Sequence, residues 1–392
     1  MAAKRAPRRL SGCHTIEDLR DLCRRRLPAA PFGYIDGGAE EEVTLERNRQ
    51  AFAEYAFRPR TLVDVSRVDL STEILGQPLA LPLILAPCGF ARLADPRGGE
   101  TAAARAAHRA GTVSVLSSMA SSTIEQVAEA SDGPLWYQLY VWRDRGILRD
   151  FIDRARESGY RALCLTVDVP VFGQRERDLR TGMTIPPSLT LHTLMNVARH
   201  PRWIWEYLSG PRITVANVAK YAPGGRTGVS ALGSYVNQQF DPTLNWRDLE
   251  WMLAEWNGPF AVKGVLRPED AVRAVETGVS AIVVSNHGGR QLDHSPAPIQ
   301  VLREIAAAVD GRADIVLDGG VRRGTDVAKA LALGARACMI GRPYLYGLGA
   351  GGERGAERAI EILRSETERA LALLGCPSAR ELDPSYLQPN SR

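Results

Sequence analysis

The stretch VSNHGGRQLD, residues 284–293, sets an imidazole (His287) and a guanidinium (Arg290) on either side of two glycines. It follows the apolar run AIVV, Ala281–Val284. A turn needs the glycines but neither ionisable group. An imidazole exchanges a proton near neutral pH, and a guanidinium grips a carboxylate through paired N–H donors. Together they read as a general base beside an anion clamp, and the rest of the chain must supply what the base acts with.

Polar residues recur at the ends of other apolar runs. The runs are LILAPCGF (83–90), TVSVLSS (112–118), LWYQLYV (135–141), ALCLTVD (162–168), FAVKG (260–264), AIVVSNHG (281–288), DIVLDGG (314–320) and ACMIGR (337–342). Amphipathic helical stretches follow most of them, several ending in glycine. Continuous apolar strands alternating with helices imply a parallel sheet buried on both faces. Eight such units predict an α/β fold, a (β/α)8 TIM barrel, more readily than an open doubly wound sheet. Barrel chemistry sits at strand carboxyl ends. Those ends carry Ser117, Gln138, Tyr140, Thr166, Asp168, Lys263, Ser285, His287, Asp318 and Arg342, with Arg175 and Arg290 in adjoining loops.

The last two ends fit a phosphate. DGGVRRG (318–324) follows strand seven, and IGR, with Gly341 and Arg342, ends strand eight. Barrels commonly bind phosphate there through backbone N–H groups and helix N-termini. GLGAGG (347–352) matches the letters of the dinucleotide fingerprint, but no strand feeds it, and it reads as a tight loop.

Around this barrel, about 83–375, lie helical stretches in the first 80 residues, a long insertion after strand four (about 176–250) and a C-terminal amphipathic helix. Tyr34 falls between two N-terminal helices, just before Gly37-Gly38. The insertion mixes Leu191, Leu194, Met195, Trp203, Trp205, Tyr207 and Leu208 with Arg199, Arg202 and Arg212. Such a segment suits a lid on the barrel mouth or a helix lying at a membrane interface, and sequence does not choose between them. Residues 1–14 read as a flexible basic tail and 15–392 as a single domain. The chain has 392 residues, 45% of them hydrophobic and 24% charged, with net charge +4, as expected of a folded protein. The tail's few basic residues are too little for a nucleic-acid surface. The scattered cysteines (13, 23, 88, 164, 338, 376) and six histidines have no metal-ligand spacing, so no metal is expected, and a reducing, cytoplasmic location is.

With SNHGGRQLD, DGGVRRGTDVAKALALGA, QLYV, LTVD and VKG in order, the chain resembles the FMN-dependent 2-hydroxy-acid oxidase and dehydrogenase family from Thr15 to the terminal YLQ. The resemblance implies FMN as cofactor, a homotetramer, and oxidation of an L-2-hydroxy acid such as lactate or mandelate to the 2-oxo acid. It implies that His287 is the base, with Asp168 beside it. Arg290 and Arg175 would receive the substrate carboxylate, and Tyr34 and Tyr140 would hydrogen-bond the substrate. Pro87, Cys88, Gly89, Ser117, Gln138, Thr166, Lys263 and Ser285 would line the flavin, with Lys263 at its pyrimidine edge. Asp318 falls at the ribityl chain, and Gly319, Gly320, Val321, Arg322, Gly341 and Arg342 at the phosphate. Met119 stands where the plant glycolate enzyme has tryptophan. Gly89 replaces the alanine usual in the oxidases, which leans toward quinone rather than O2 as acceptor; an oxidase forming H2O2 is the alternative. A membrane quinone would make the insertion a peripheral contact on the inner face of the cell membrane.

Overall fold

The apolar runs become the staves of a closed parallel barrel. The computed structural model describes residues 7–183, 190–221 and 239–390. Three short strands come first: β1 (Tyr55–Phe57), β2 (Thr72–Ile74) and β3 (Gln77–Leu79). The barrel follows as β4 (Leu83–Leu85), β5 (Ser114–Ser117), β6 (Leu135–Leu139), β7 (Ala162–Thr166), β8 (Phe260–Val265), β9 (Ala281–Ser285), β10 (Asp314–Asp318) and β11 (Ala337–Ile340), with β11 pairing back to β4. A last strand, β12 (Leu387–Pro389), pairs antiparallel with β1. The TIM barrel expected from the strand pattern is present.

Alternation along each strand divides the core in two. Ile84, Val115, Trp136, Cys164, Ala261, Val283, Val316 and Met339 fill the barrel interior with Ile74 and Leu79 of the β2–β3 hairpin. That hairpin plugs the amino-terminal end: Leu75 N donates to Asp314 Oδ2 at the start of β10 (2.7 Å). The opposite, carboxyl end is left for chemistry.

The helices before the barrel are α1 (Ile16–Arg26), α2 (Ala29–Asp36) and α3 (Val43–Gln50). Between the strands run α4 (Gly99–Ala110), α5 (Ile124–Glu129), α6 (Arg145–Glu157), α7 (Glu176–Thr181), α8 (Leu191–Ala198), α9 (Pro201–Ser209), α10 (Trp246–Trp256), α11 (Pro268–Glu276), α12 (Pro298–Val309), α13 (Gly324–Ala332), α14 (Arg342–Gly351) and α15 (Glu353–Leu374). Three features depart from the sequence reading. Tyr34 sits on a helix, the last turn of α2, rather than in a connection. The 347–352 segment is no tight loop, because residues 347–351 continue α14. Its glycines serve packing: a Cβ on Gly347 or Gly355 would run into the other's carbonyl oxygen, so α14 and α15 cross at backbone contact. The tail expected over 1–14 falls outside the described residues at 1–6, whereas Cys13 is fully buried and its carbonyl accepts from Arg358 Nε (3.1 Å).

Parts of the insertion, 184–189 and 222–238, also fall outside the described residues. Within its described part, α8 and α9 form a hairpin, α8 capped by Thr190 and α9 started at Pro201. Its inner side is anchored to the body by Trp203 Nε1 donating to Leu93 O (3.1 Å) and Ala29 N donating to Asn196 Oδ1 (2.7 Å). Its outer side presents Leu191, Leu194, Met195, Trp205, Tyr207 and Leu208 to solvent. Among the described residues no helix is long and apolar enough to cross a membrane.

Candidate functional site

His287 leaves β9 in a left-handed conformation (φ 58°), followed by Gly288 (64°) and Gly289 (72°). That backbone is uncommon for a residue with a Cβ and is held by its surroundings. His287 N donates to Ser285 Oγ (3.0 Å), and Ala39 N donates to Gly289 O (2.8 Å). The ring's Nδ1 lies 2.8 Å from Asp168 Oδ1. A carboxylate only accepts, so the proton sits on Nδ1 and Nε2 is left with its lone pair. Burial pushes the imidazole pKa below its ordinary value, more than Asp168 pulls it up. The ring is therefore a free base at neutral pH. For Asp168, burial works upward, but the His287 and Lys263 charges win and hold the carboxyl below its ordinary range.

A local irregularity makes room for Asp168. The β8–β9 register slips between Lys263 and Val265, at Gly264 (φ 108°). A Cβ on Gly264 would stand 2.7 Å from Asp168 Cβ. The bulge thus seats the carboxylate and turns Lys263 inward, as bulges beside active sites do. Lys263 Nζ lies 3.0 Å from Ser285 Oγ and 2.8 Å from Asp318 Oδ2, and Ser285 Oγ donates to the same oxygen (2.7 Å). Burial alone would lower the ammonium pKa, but Asp318 and Asp168 raise it, so Lys263 stays charged. Across the barrel, on β5 and β6, Ser117 Oγ donates to Gln138 Oε1 (2.9 Å) and accepts from Met119 N (3.1 Å). Gln138 Nε2 and Asp168 Oδ2 are buried with no hydrogen-bond partner among the described residues. Unmet buried donors are rare and call for a ligand or water. Thr166 is buried at the end of β7, paired in register with Lys263.

The arginines gather around α2. Arg290 Nη1 donates to Tyr34 O (2.7 Å) and Gly37 O (3.0 Å). Arg342 donates to Ile35 O (3.2 Å), Gly288 O (2.9 Å) and Gly37 O (2.7 Å). Both sit on the carbonyl-rich end of a helix, where cations are favoured. Burial, reinforced by Arg290 and Arg322, pushes Arg342 down to about 10. Among the described residues, no carboxylate pairs with Arg290, Arg322 or Arg342. Three neighbouring cations, none in a direct ion pair among the described residues, favour an anion arriving from outside. Arg175 is different: its Nε lies 3.5 Å from Asp178 Oδ2. Arg175 and Arg290 both flank the Tyr34 ring, at 5.5 and 4.9 Å from its centroid. Tyr140 stacks toward His287 (6.5 Å), and burial raises its pKa, so its hydroxyl stays protonated.

A profile of the FMN-dependent dehydrogenase family matches residues 23–389. The chain belongs to that family. It is 47% identical to an L-lactate oxidase of Nostoc sp. over 93% of this chain and 95% of that one. It is 44% identical to a putative L-lactate dehydrogenase of Mycobacterium tuberculosis, over 97% and 90%. Its fold superposes on a monotopic membrane protein, (S)-mandelate dehydrogenase, with TM-score 0.93 and 38% identity, covering 97% of this chain and all of that one.

As an FMN-dependent dehydrogenase, the protein is an oxidoreductase with FMN as its cofactor. The residues present fit that group: a buried cation at Lys263, an unmet amide at Gln138 and unpaired guanidiniums at the last two barrel ends. Cys88 and Gly89 join the same cluster, since a Cβ on Gly341 would meet Cys88 Sγ (3.3 Å) and one on Gly89 would meet Met119 Cβ (3.1 Å). Gly320 departs from the expected reason for a glycine: a Cβ there would strike Asn48 O, so the end of α3 requires it whatever binds. Arg322 Nη1 donates to Val321 O (2.8 Å), close to where the phosphate was expected.

Two residues were missed from sequence. Gly264 is one, and VKG gave its signal, a glycine ending a strand. Gln291 is the other. Its Nε2 donates to Asp168 O (3.1 Å) and Val171 O (2.9 Å), while its Oε1 accepts from Gly173 N (3.2 Å). It staples the loop after β7 to the loop after β9, and its place directly after Arg290 was the only hint.

Proposed function

We propose that the protein oxidises an L-2-hydroxy acid to the 2-oxo acid and delivers the electrons to a quinone at a membrane. The observation that carries the chemistry is His287, a buried neutral imidazole whose Nδ1 is held by Asp168. Arg290 and Arg175 bind the substrate carboxylate, and Tyr34 and Tyr140 orient the carboxylate and hydroxyl. His287 then takes one substrate proton at Nε2, and the imidazolium is stabilised by Asp168, 2.8 Å away. FMN, when bound, supplies the two-electron acceptor that side chains lack. Pro87, Cys88, Gly89, Ser117, Gln138, Thr166, Lys263 and Ser285 would line its ring, and Asp318 would hold the ribityl chain. Gly319, Gly320, Val321, Arg322, Gly341 and Arg342 would take the phosphate.

Gly89 and the α8–α9 face support the quinone. A Cβ at Gly89 would approach Met119 O at 3.2 Å and Tyr34 Oη at 3.4 Å, so glycine keeps open a space that alanine would fill. The outward apolar side chains of α8 and α9, with Arg199 and Arg202 beside them, suit a peripheral approach to the inner face of the cell membrane. The same α8–α9 surface is compatible with a homotetramer, in which each subunit would bring one such face. The second reading, an oxidase using O2, is favoured by the 47% identity to the Nostoc L-lactate oxidase. Anaerobic reduction by a panel of hydroxy acids, followed by mixing with O2 or a soluble quinone, separates them. Quinone is expected to reoxidise the enzyme faster at comparable concentration. Faster reoxidation by O2 hands the protein to the oxidases, and failure of every acid to reduce it overturns both.

A further inference from the structure

A row of aromatic rings leads away from the base. Tyr140 stacks toward His287 (6.5 Å), Phe240 lies against Tyr140 (5.2 Å) and Phe172 against Phe240 (4.4 Å, T-shaped). Burial changes along the row: Phe240 is 6% exposed and Phe172 39%. The outermost ring is thus held in water at the mouth of the site, where apolar surface is costly unless something covers it.

Both outer rings stand on backbone that is pinned. Phe172 belongs to the loop stapled by Gln291, and the next residue, Gly173, packs so closely on Arg290 and Gln291 that a Cβ there would stand 2.8 Å from Gln291 Cα. Phe240 comes from the far end of the insertion. It bridges Trp142, with Arg143 N donating to Gln239 O (2.7 Å) and Asp241 N to Val141 O (3.2 Å). These rings form a fixed wall rather than mobile cover. For a substrate whose carboxylate reaches Arg290 and whose hydroxyl reaches His287, the ring nearest the base is Tyr140, and a third substituent passing it would run along the row toward Phe240 and Phe172. A methyl group is too short to cover Phe172, whereas a planar ring can pack edge-to-face on it, the geometry Phe172 already adopts with Phe240.

We propose that Phe172 and Phe240 form a specificity wall selecting 2-hydroxy acids with an aromatic ring on the α-carbon over those with a methyl or a straight alkyl chain. This rests on the reading of His287 as the base for hydroxy-acid oxidation. The test compares kcat/KM for (S)-mandelate, L-lactate and L-2-hydroxyoctanoate in the FMN-loaded wild type, Phe172→Ala and Phe172→Leu. Wild type is expected to favour mandelate over both others by about tenfold or more, within the range an apolar pocket discriminates. Phe172→Ala should lose about five times more with mandelate than with lactate, mainly through KM, and Phe172→Leu should recover part of that loss. A wild type that prefers lactate or the octanoate overturns the proposal, as does an equal loss on all three acids in Phe172→Ala. Unaltered FMN content in the variants keeps an equal loss from being read as misfolding. If no acid reduces the wild-type flavin, the hydroxy-acid reading falls first and the proposal with it.

Discussion

The carboxyl ends of the barrel strands and the outer face of α8–α9 break the same packing rule in opposite directions. At the barrel mouth, Lys263, Ser285, Asp318 and Gln138 are polar groups removed from water. On α8–α9, Leu191, Trp205 and Leu208 are apolar groups left in it, each 66–75% exposed. Both arrangements cost free energy and are the informative exceptions to polar-out, apolar-in. The barrel offsets its cost internally: Lys263, Ser285 and Asp318 satisfy one another, and what remains unmet there, Gln138 Nε2 and Asp168 Oδ2, belongs to side chains proposed to hold the cofactor and to orient the base. The hairpin leaves these side chains uncovered, and on the reading proposed above a membrane surface would cover them. One exception is therefore read from unmet hydrogen bonds and the other from uncovered area.

The barrel side of this contrast is broken most severely at the base. His287→Gln is expected to keep FMN, because the His287 side chain is not among those proposed to hold the flavin, yet to slow anaerobic flavin reduction by about a hundredfold or more. Stopped-flow absorbance measures it, and a loss below about tenfold removes His287 from the role of base. Asp168→Asn tests why that base is ready. The active form is neutral imidazole, so rate falls as pH drops through the His287 pKa. Burial has already moved that pKa below 6.5. Asp168 raises it, so removing the charge should shift the acid limb to still lower pH. The plateau should also fall by about tenfold to a hundredfold, because the imidazolium formed in the reaction loses its partner. An unshifted acid limb in the rate–pH profile would separate the two residues.

The barrel was legible because its strands are buried on both faces and so read as unbroken apolar runs ending in polar residues. SNHGGR and LTVD marked the base and its partner because nothing structural asks for ionisable groups there. Tyr34 was legible as a residue but not as part of a helix: FGYID, with a glycine and a following Gly37-Gly38, has weak helix propensity. It is held helical by Arg290 and Arg342 on its carbonyls, contacts about 250 residues or more away in sequence. The 347–352 glycines misled because close helix crossing and tight turns both require a missing Cβ. Gln291 escaped because a stapling amide has no signature apart from where its partners fold. The aromatic row likewise joins Tyr140, Phe172 and Phe240 from three separate loops, and no spacing along the chain predicts that they meet.

The smallest expected effect lies on the hairpin side and decides between lid and membrane face. Trp205 and Leu208 point outward, whereas Trp203 makes the anchoring bond to Leu93 O. Replacing the first two by serine removes apolar area without touching that anchor. Full burial of one large apolar side chain is worth about 1.5–3 kcal/mol, and interfacial immersion is partial, so the pair should lower partitioning onto anionic vesicles by about tenfold. Flavin reduction by the hydroxy acid should change by less than about twofold, because neither side chain belongs to the hydrogen-bonded site. Vesicle co-sedimentation and stopped-flow reduction on the same preparation read both quantities. A lid gives the opposite pattern: partitioning unchanged and reduction slowed, since a lid's contacts act on substrate retention. The two outcomes are exclusive because the hairpin's outer face cannot both lie against lipid and cover the mouth with the same side chains.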